Sequence, residues 1–153
     1  MKWNLQWESD QHRIIHLKLA ALGVLDILES NFNSSISKVS DHPDLQLTVL
    51  HRGFSGMILF SLTHFIQANG KLCVEPQMHV RLSKTEGIAE ALTYRQSIPP
   101  IFREVYPTQG GVDMGEKQAL NEFLDRWVTD CISTGYQFDI PRPIPAPQGK
   151  KRR

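Results

Sequence analysis

Leu120, Phe123, Leu124, Trp127, Val128, Cys131 and Ile132 follow one another at the spacing of a helical stripe. A 3.6-residue period puts them on one face of an α-helix. Lys117, Asn121, Glu122, Asp125, Arg126, Thr129 and Asp130 fill the opposite side. Asp113 and Glu116 have the spacing of a capping box, and Gly135 suits a left-handed C-terminal cap, so the pattern predicts a core helix over 113–135. A second helix is predicted from Asp10, as its N-cap, to Phe32. Its stripe is Ile14, Leu17, Ala21, Leu25, Leu28 and Phe32, widened by Ile15, Leu19 and Leu22. Gly23 in its middle is either tolerated at a cost or permits close approach of another backbone.

Between the helices the period changes to two. Leu45, Leu47 and Val49 alternate with Gln46 and Thr48, which predicts a strand with one wet face. The run from Gly56 to Gln67 is rich in β-branched and aromatic residues and predicts a central strand, paired to the first across a short link with two glycines. Asn69-Gly70 is a hairpin signal. The segment KLCVEP reads as a short return or irregular edge, because Pro76 cannot donate to a ladder. Met78, Val80 and Leu82 alternate with His79, Arg81 and Ser83, and after a turn at Glu86-Gly87 the run IAEALTYRQ is the next strand. Residues 33–44 and 97–112 read as connectors. The order implies an α+β fold: a single antiparallel four- to five-stranded meander flanked by an N-terminal and a C-terminal helix packed on one face. Residues 1–9 form a leader carrying Trp3 and Trp7, 10–138 a single domain, and 139–153 a Pro-rich basic tail of disordered or polyproline character.

Composition narrows the function classes. A net charge of +1 gives no broad attraction to nucleic acid or acidic membrane, leaving the Lys150–Arg153 cluster as the local exception. Cys73 and Cys131 lack metal-ligand spacing and suit a reducing compartment. The first dozen residues lack the apolar run of a signal peptide, and no apolar run is long enough for a membrane helix, so the expected location is cytoplasmic.

Candidate chemistry is sparse. His12 and His16 lie one helical turn apart but lack the acid of a zinc-binding H-E-x-x-H and read as a solvated face. No nucleophile motif, P-loop or dinucleotide fingerprint is present, which points away from an enzyme and implies no cofactor and no metal. With the turn centred at Glu86-Gly87, Arg81 faces Glu90 on the neighbouring strand. That pair is either a wet-face salt bridge or an Arg positioned for an anion. Tyr106, Glu116 and Lys117 gather at the entrance to the last helix, where a cap competes with an anion for the same N–H groups.

The residues Pro76, Met78, Val80, Arg81, Leu82, Ala89 and Glu90, with Tyr106, Pro107, Glu116, Lys117, Asn121, Phe123, Leu124, Trp127, Cys131 and Gly135, resemble the pattern of the YqiB-like family. That is a family of small cytoplasmic proteobacterial proteins of unknown function, and the resemblance spans roughly residues 28 to 136. The sequence departs from the pattern at Thr108 and Gly115. The resemblance implies a fold and a compartment, and brings no activity with it. The leading expectation is a non-enzymatic binding or regulatory module that meets a protein partner through its sheet face or strand edge. The alternative is a small anionic-ligand site near Arg81, Glu90, Tyr106, Glu116 and Lys117, and a weaker one is RNA contact through the basic tail.

Overall fold

A computed structural model describes residues 5–141, with side chains from Asp10 onward. The side chains of Trp3 and Trp7 and the basic cluster of the tail lie outside the described residues. The elements are α1 (Leu5–Ala21), α2 (Val24–Leu28), β1 (Ser34–Ser37), β2 (Asp44–Arg52), a 3₁₀ turn (Phe54–Gly56), β3 (Met57–Ala68), β4 (Lys71–Ser83), β5 (Ile88–Gln96), β6 (Ile101–Glu104) and α3 (Met114–Thr134). The fold is α+β, with an antiparallel sheet whose six strands stand in chain order.

Six strands replace the expected four or five because both edges hide in segments that read as connectors. β1, SSIS, has a single apolar residue, and β6, IFRE, is only four residues long between Pro99-Pro100 and Tyr106-Pro107. KLCVEP and QMHVRLS are one strand, β4. Its pairing to β3 skips Glu75 and Pro76 at a bulge, where the missing proline N–H costs no ladder bond. At the β3–β4 hairpin Asn69 and Gly70 both have positive φ, 54° and 75°, as a tight primed turn requires.

The expected helix over 10–32 is two helices. α1 already begins at Leu5, so Asp10 lies inside it instead of capping it. Gly23, at φ 91°, ends the first and caps the second. A Cβ at Gly23 would stand 2.2 Å from the Phe138 carbonyl oxygen, and the Phe138 N–H donates to the Leu22 carbonyl at 2.9 Å. The close-approach reading of Gly23 is therefore the correct one, and the segment after α3 straps the end of α1. The buried face of α1 is His12, Ile15 and Leu19, continued by Leu22 just past its end, whereas Ile14 and Leu17 are exposed. Both sets have helical period, and the one that widened the expected stripe is the one facing the core. His12, expected on a solvated face, is buried.

Leu47, Leu62 and Met78 stand side by side across the strands, as do Ile58, Leu82 and Ala89, and Phe60, Val80 and Ala91. With the buried residues of α1, α2 and α3 they form one core cluster. The other sheet face alternates with them and is polar: Thr48, Ser61, His79 and Thr93 lie in one row, and Gln46, Thr63, Gln77 and Arg95 in the next.

Candidate functional site

Arg81 on β4 and Glu90 on β5 are direct cross-strand partners, as the turn arithmetic requires. α3 brings Lys117 to the same carboxylate from the edge of β5. It is held there by Asn121, whose side chain accepts from the Ala91 N–H at 2.8 Å and donates to the Lys117 carbonyl at 2.7 Å. The Asn121 amide thus satisfies a backbone donor that the short β6 leaves unpaired, which would otherwise be costly in the interior.

Around Glu90, Arg81 Nε donates to Oε1 at 3.0 Å and its Nη2 also contacts Oε1. Tyr106 Oη donates to Oε2 at 2.9 Å, and Lys117 Nζ lies 3.3 Å from Oε2 and 3.0 Å from Tyr106 Oη. Both cations also lie over the Tyr106 ring, Arg81 Cζ at 5.4 Å and Lys117 Nζ at 5.5 Å from its centroid. Burial pushes the Glu90 carboxyl up, but the hydrogen bonds and charges of Arg81, the Lys117 charge and the Tyr106 hydroxyl outweigh it and hold the carboxyl below its ordinary range. The same carboxylate raises Arg81 against the opposing effect of burial.

Four of the five residues singled out from the sequence therefore converge. Glu116 does not. Its carboxylate meets Arg103 of β6, at 2.8 Å from Nε and 2.5 Å from Nη2, while its N–H is capped by Asp113 at 3.0 Å. The capping box is half made: Asp113 caps, and the Glu116 side chain ties α3 to β6 instead of reaching back. Lys117 and Asn121, expected on the polar side of α3, are buried. The hollow beside Arg81, about 140 Å³, is lined by Met57, Ser83, Glu86, Ile88 and Glu90 and does not include Lys117. Two carboxylates on its wall oppose an anion there.

The second candidate surface is the β6 edge, which sequence reasoning took for a connector. Among the described residues no strand pairs with the outer side of β6. Val105 N–H donates inward to the Leu92 carbonyl at 3.0 Å, so the alternation of an antiparallel ladder turns the N–H and C=O of Phe102 and Glu104 outward. Ile98, Ile101 and Phe102 are exposed along this edge, with Leu72 of β4 nearby and 63% exposed. Two hollows flank it. One of about 530 Å³ lies among Leu72, Val74, Gln77, Arg95, Pro100 and Phe102, and one of about 270 Å³ lies among Tyr94, Ile101, Arg103, Ala119, Phe123 and Arg126.

A family model described as Domain of unknown function (DUF6908) matches residues 19–136. The chain belongs to this family. The matched segment holds every strand, α2, α3, the Glu90 cluster and the β6 edge, and begins within α1. An uncharacterised family is thus the established part of the resemblance. No curated protein and no solved structure matches the chain.

One Cys–His contact in this family member escaped the sequence reading, which found no metal-ligand spacing at Cys73 or Cys131. Cys131 Sγ lies 3.9 Å from His64 Nε2. Burial, with the Asp130 charge adding to it, pushes the Cys131 thiol up to about 12. Burial also lowers His64, which stands edge-on to Trp127 at 5.5 Å. A thiol held neutral beside a His held neutral is a packing contact and makes no nucleophile at neutral pH. Among the described residues no group of three or more His, Cys, Asp or Glu is placed to hold a metal ion, and no helix is long and apolar enough to cross a membrane.

Proposed function

We propose that this protein is a non-enzymatic binding module that receives an extended segment of a protein partner at the outer edge of β6. The observation that carries the reading is a strand that, among the described residues, has no neighbour on its outer side, where its outward N–H and C=O groups sit beside exposed Ile98, Ile101 and Phe102. Edge strands are normally blunted by charge, proline inside the strand or a covering element, because an open edge recruits another strand. β6 is short and carries Arg103 and Glu104, but it keeps Ile101 and Phe102 exposed beside them. Main-chain bonds to Phe102 and Glu104 would supply affinity, and side chains in the flanking hollows would supply selectivity. The YqiB-like resemblance makes a bacterial cytoplasm the proposed setting.

The Glu90 cluster fits an internal tie better than a ligand site. Arg81, Tyr106 and Lys117 already converge on one carboxylate, so an incoming anion must displace Glu90 or share the hollow with Glu86. Peptides selected from a random displayed library against the full chain test the edge reading. Binders should lose affinity for Phe102→Asp and keep it for Arg81→Gln. Binders indifferent to Phe102→Asp, or a stabilising small anion lost in Arg81→Gln, would move the function to the cluster.

A further inference from the structure

A strand laid against β6 sends alternate side chains to the two faces of the sheet, so each face of the edge selects its own residue type. On the polar sheet face the newcomer meets Phe102, 54% exposed, whose ring carries the Arg95 guanidinium at 5.7 Å from its centroid. Behind Phe102 lies the larger hollow, walled by Leu72, Val74 and Pro100. Glu104 stands on this same face, opposite Thr93, and disfavours a carboxylate there. On the helix face the newcomer meets the smaller hollow, where Arg103 of β6 and Arg126 of α3 both line the wall. Arg103 is half exposed and shares its charge with Glu116. Arg126 is exposed and makes no ion pair among the described residues.

We infer that the occupant of the β6 edge is an acidic–apolar strand, a partner segment with apolar side chains toward Phe102 and carboxylates toward Arg103 and Arg126. This rests on the edge reading above and adds the partner's chemistry to it. A guanidinium offers a planar fork that matches a carboxylate, and a lysine at the same position would bring a third cation to two arginines. Apolar residues on the other face continue the surface of Phe102, Leu72 and Pro100 without placing a charge beside Glu104. Charge across such a rim sets association rate and partner choice more than it sets total affinity, so the preference weakens as salt rises.

The test uses the full chain and three labelled synthetic peptides of equal length: one alternating Asp with Val, one alternating Lys with Val, and one of the first composition with its Asp residues in a block. Fluorescence anisotropy should rank the Asp–Val peptide at least about tenfold tighter than the Lys–Val peptide at low salt. Arg126→Ala should remove most of that difference, and Phe102→Asp should abolish binding of all three. Circular dichroism checks the fold of each variant, and Phe102→Ser serves if Phe102→Asp unfolds. Equal affinity for the Asp and Lys peptides, both lost in Phe102→Asp, overturns the acidic partner and leaves the edge reading standing. Binding unaffected by either Phe102 variant, or no binding by any peptide, overturns both. A dimer in sedimentation that dissociates in Phe102→Asp assigns the edge to a second copy and overturns the partner peptide.

Discussion

Replacing Glu90 by Gln removes a carboxylate that Arg81, Tyr106 and Lys117 share. The two arms of this network differ in burial, and that sets the magnitude. The Lys117 and Glu90 side chains are 11% and 10% exposed, so the substitution takes a buried negative charge away from the Lys117 ammonium. Breaking a buried pair in this way costs about 3–5 kcal/mol. The Gln oxygen still accepts one hydrogen bond from Tyr106 or Lys117, recovering about 1 kcal/mol. Arg81 is 40% exposed, so water screens its arm, which contributes about 0–1 kcal/mol. The expected loss for Glu90→Gln is therefore about 2–4 kcal/mol, and for Arg81→Gln about 1 kcal/mol or less. Urea unfolding followed by tryptophan fluorescence measures both. A double-mutant cycle with Lys117→Met should show coupling of at least about 1 kcal/mol, because removing both charges deletes the buried pair whole instead of breaking it. If Arg81→Gln costs more than Glu90→Gln, or if Glu90→Gln and Lys117→Met add without coupling, α3 is not tied to the sheet through Lys117.

Three further outcomes follow from the packing. Trp127→Ala should cost about 3–5 kcal/mol in chemical denaturation. Trp127→Phe should cost less, since the indole N–H is buried without a hydrogen-bond partner and its loss breaks no bond. Gly23→Ala should lose at least about 2 kcal/mol, because φ 91° is strained for any residue with a Cβ and the Phe138 carbonyl occupies the space; a thermal midpoint equal to wild type would refute the strap. The pH profile should have two acid phases. His64 is lowered in the folded chain, so its contribution is complete above the unfolded histidine value of about 6.5 and is lost as pH falls through the lower folded value. Glu90 is likewise lowered, so its contribution is complete above about 4.3 and is lost in stronger acid, and that second phase should be missing from Glu90→Gln.

What could be read from the sequence was what a single period or a single turn determines. The stripe and both caps of α3 are where the pattern put them, because Asp113, Gly135 and the stripe between them agree. Arg81 opposite Glu90 followed from the Glu86-Gly87 turn alone. The misreadings have physical causes. Lys117 and Asn121 share the helical face of Leu124 and Val128, and only their polarity suggested otherwise; the spacing was the better signal. In α1 two apolar registers overlap, and tertiary contacts select between them. β6 could not be recognised from periodicity, because four residues between prolines hold too few alternations to stand out. That strand carries the proposed function.

Amide hydrogen exchange of the full chain, free and saturated with a display-selected peptide, tests the edge most directly. In the free protein the outward N–H groups of Phe102 and Glu104 should exchange quickly while that of Val105, bonded to Leu92, is protected. The peptide should slow Phe102 and Glu104 and leave the Ala91 amide, held by Asn121, unchanged. Unchanged exchange at Phe102 and Glu104, with new protection around Arg81 or along α3 instead, would contradict it.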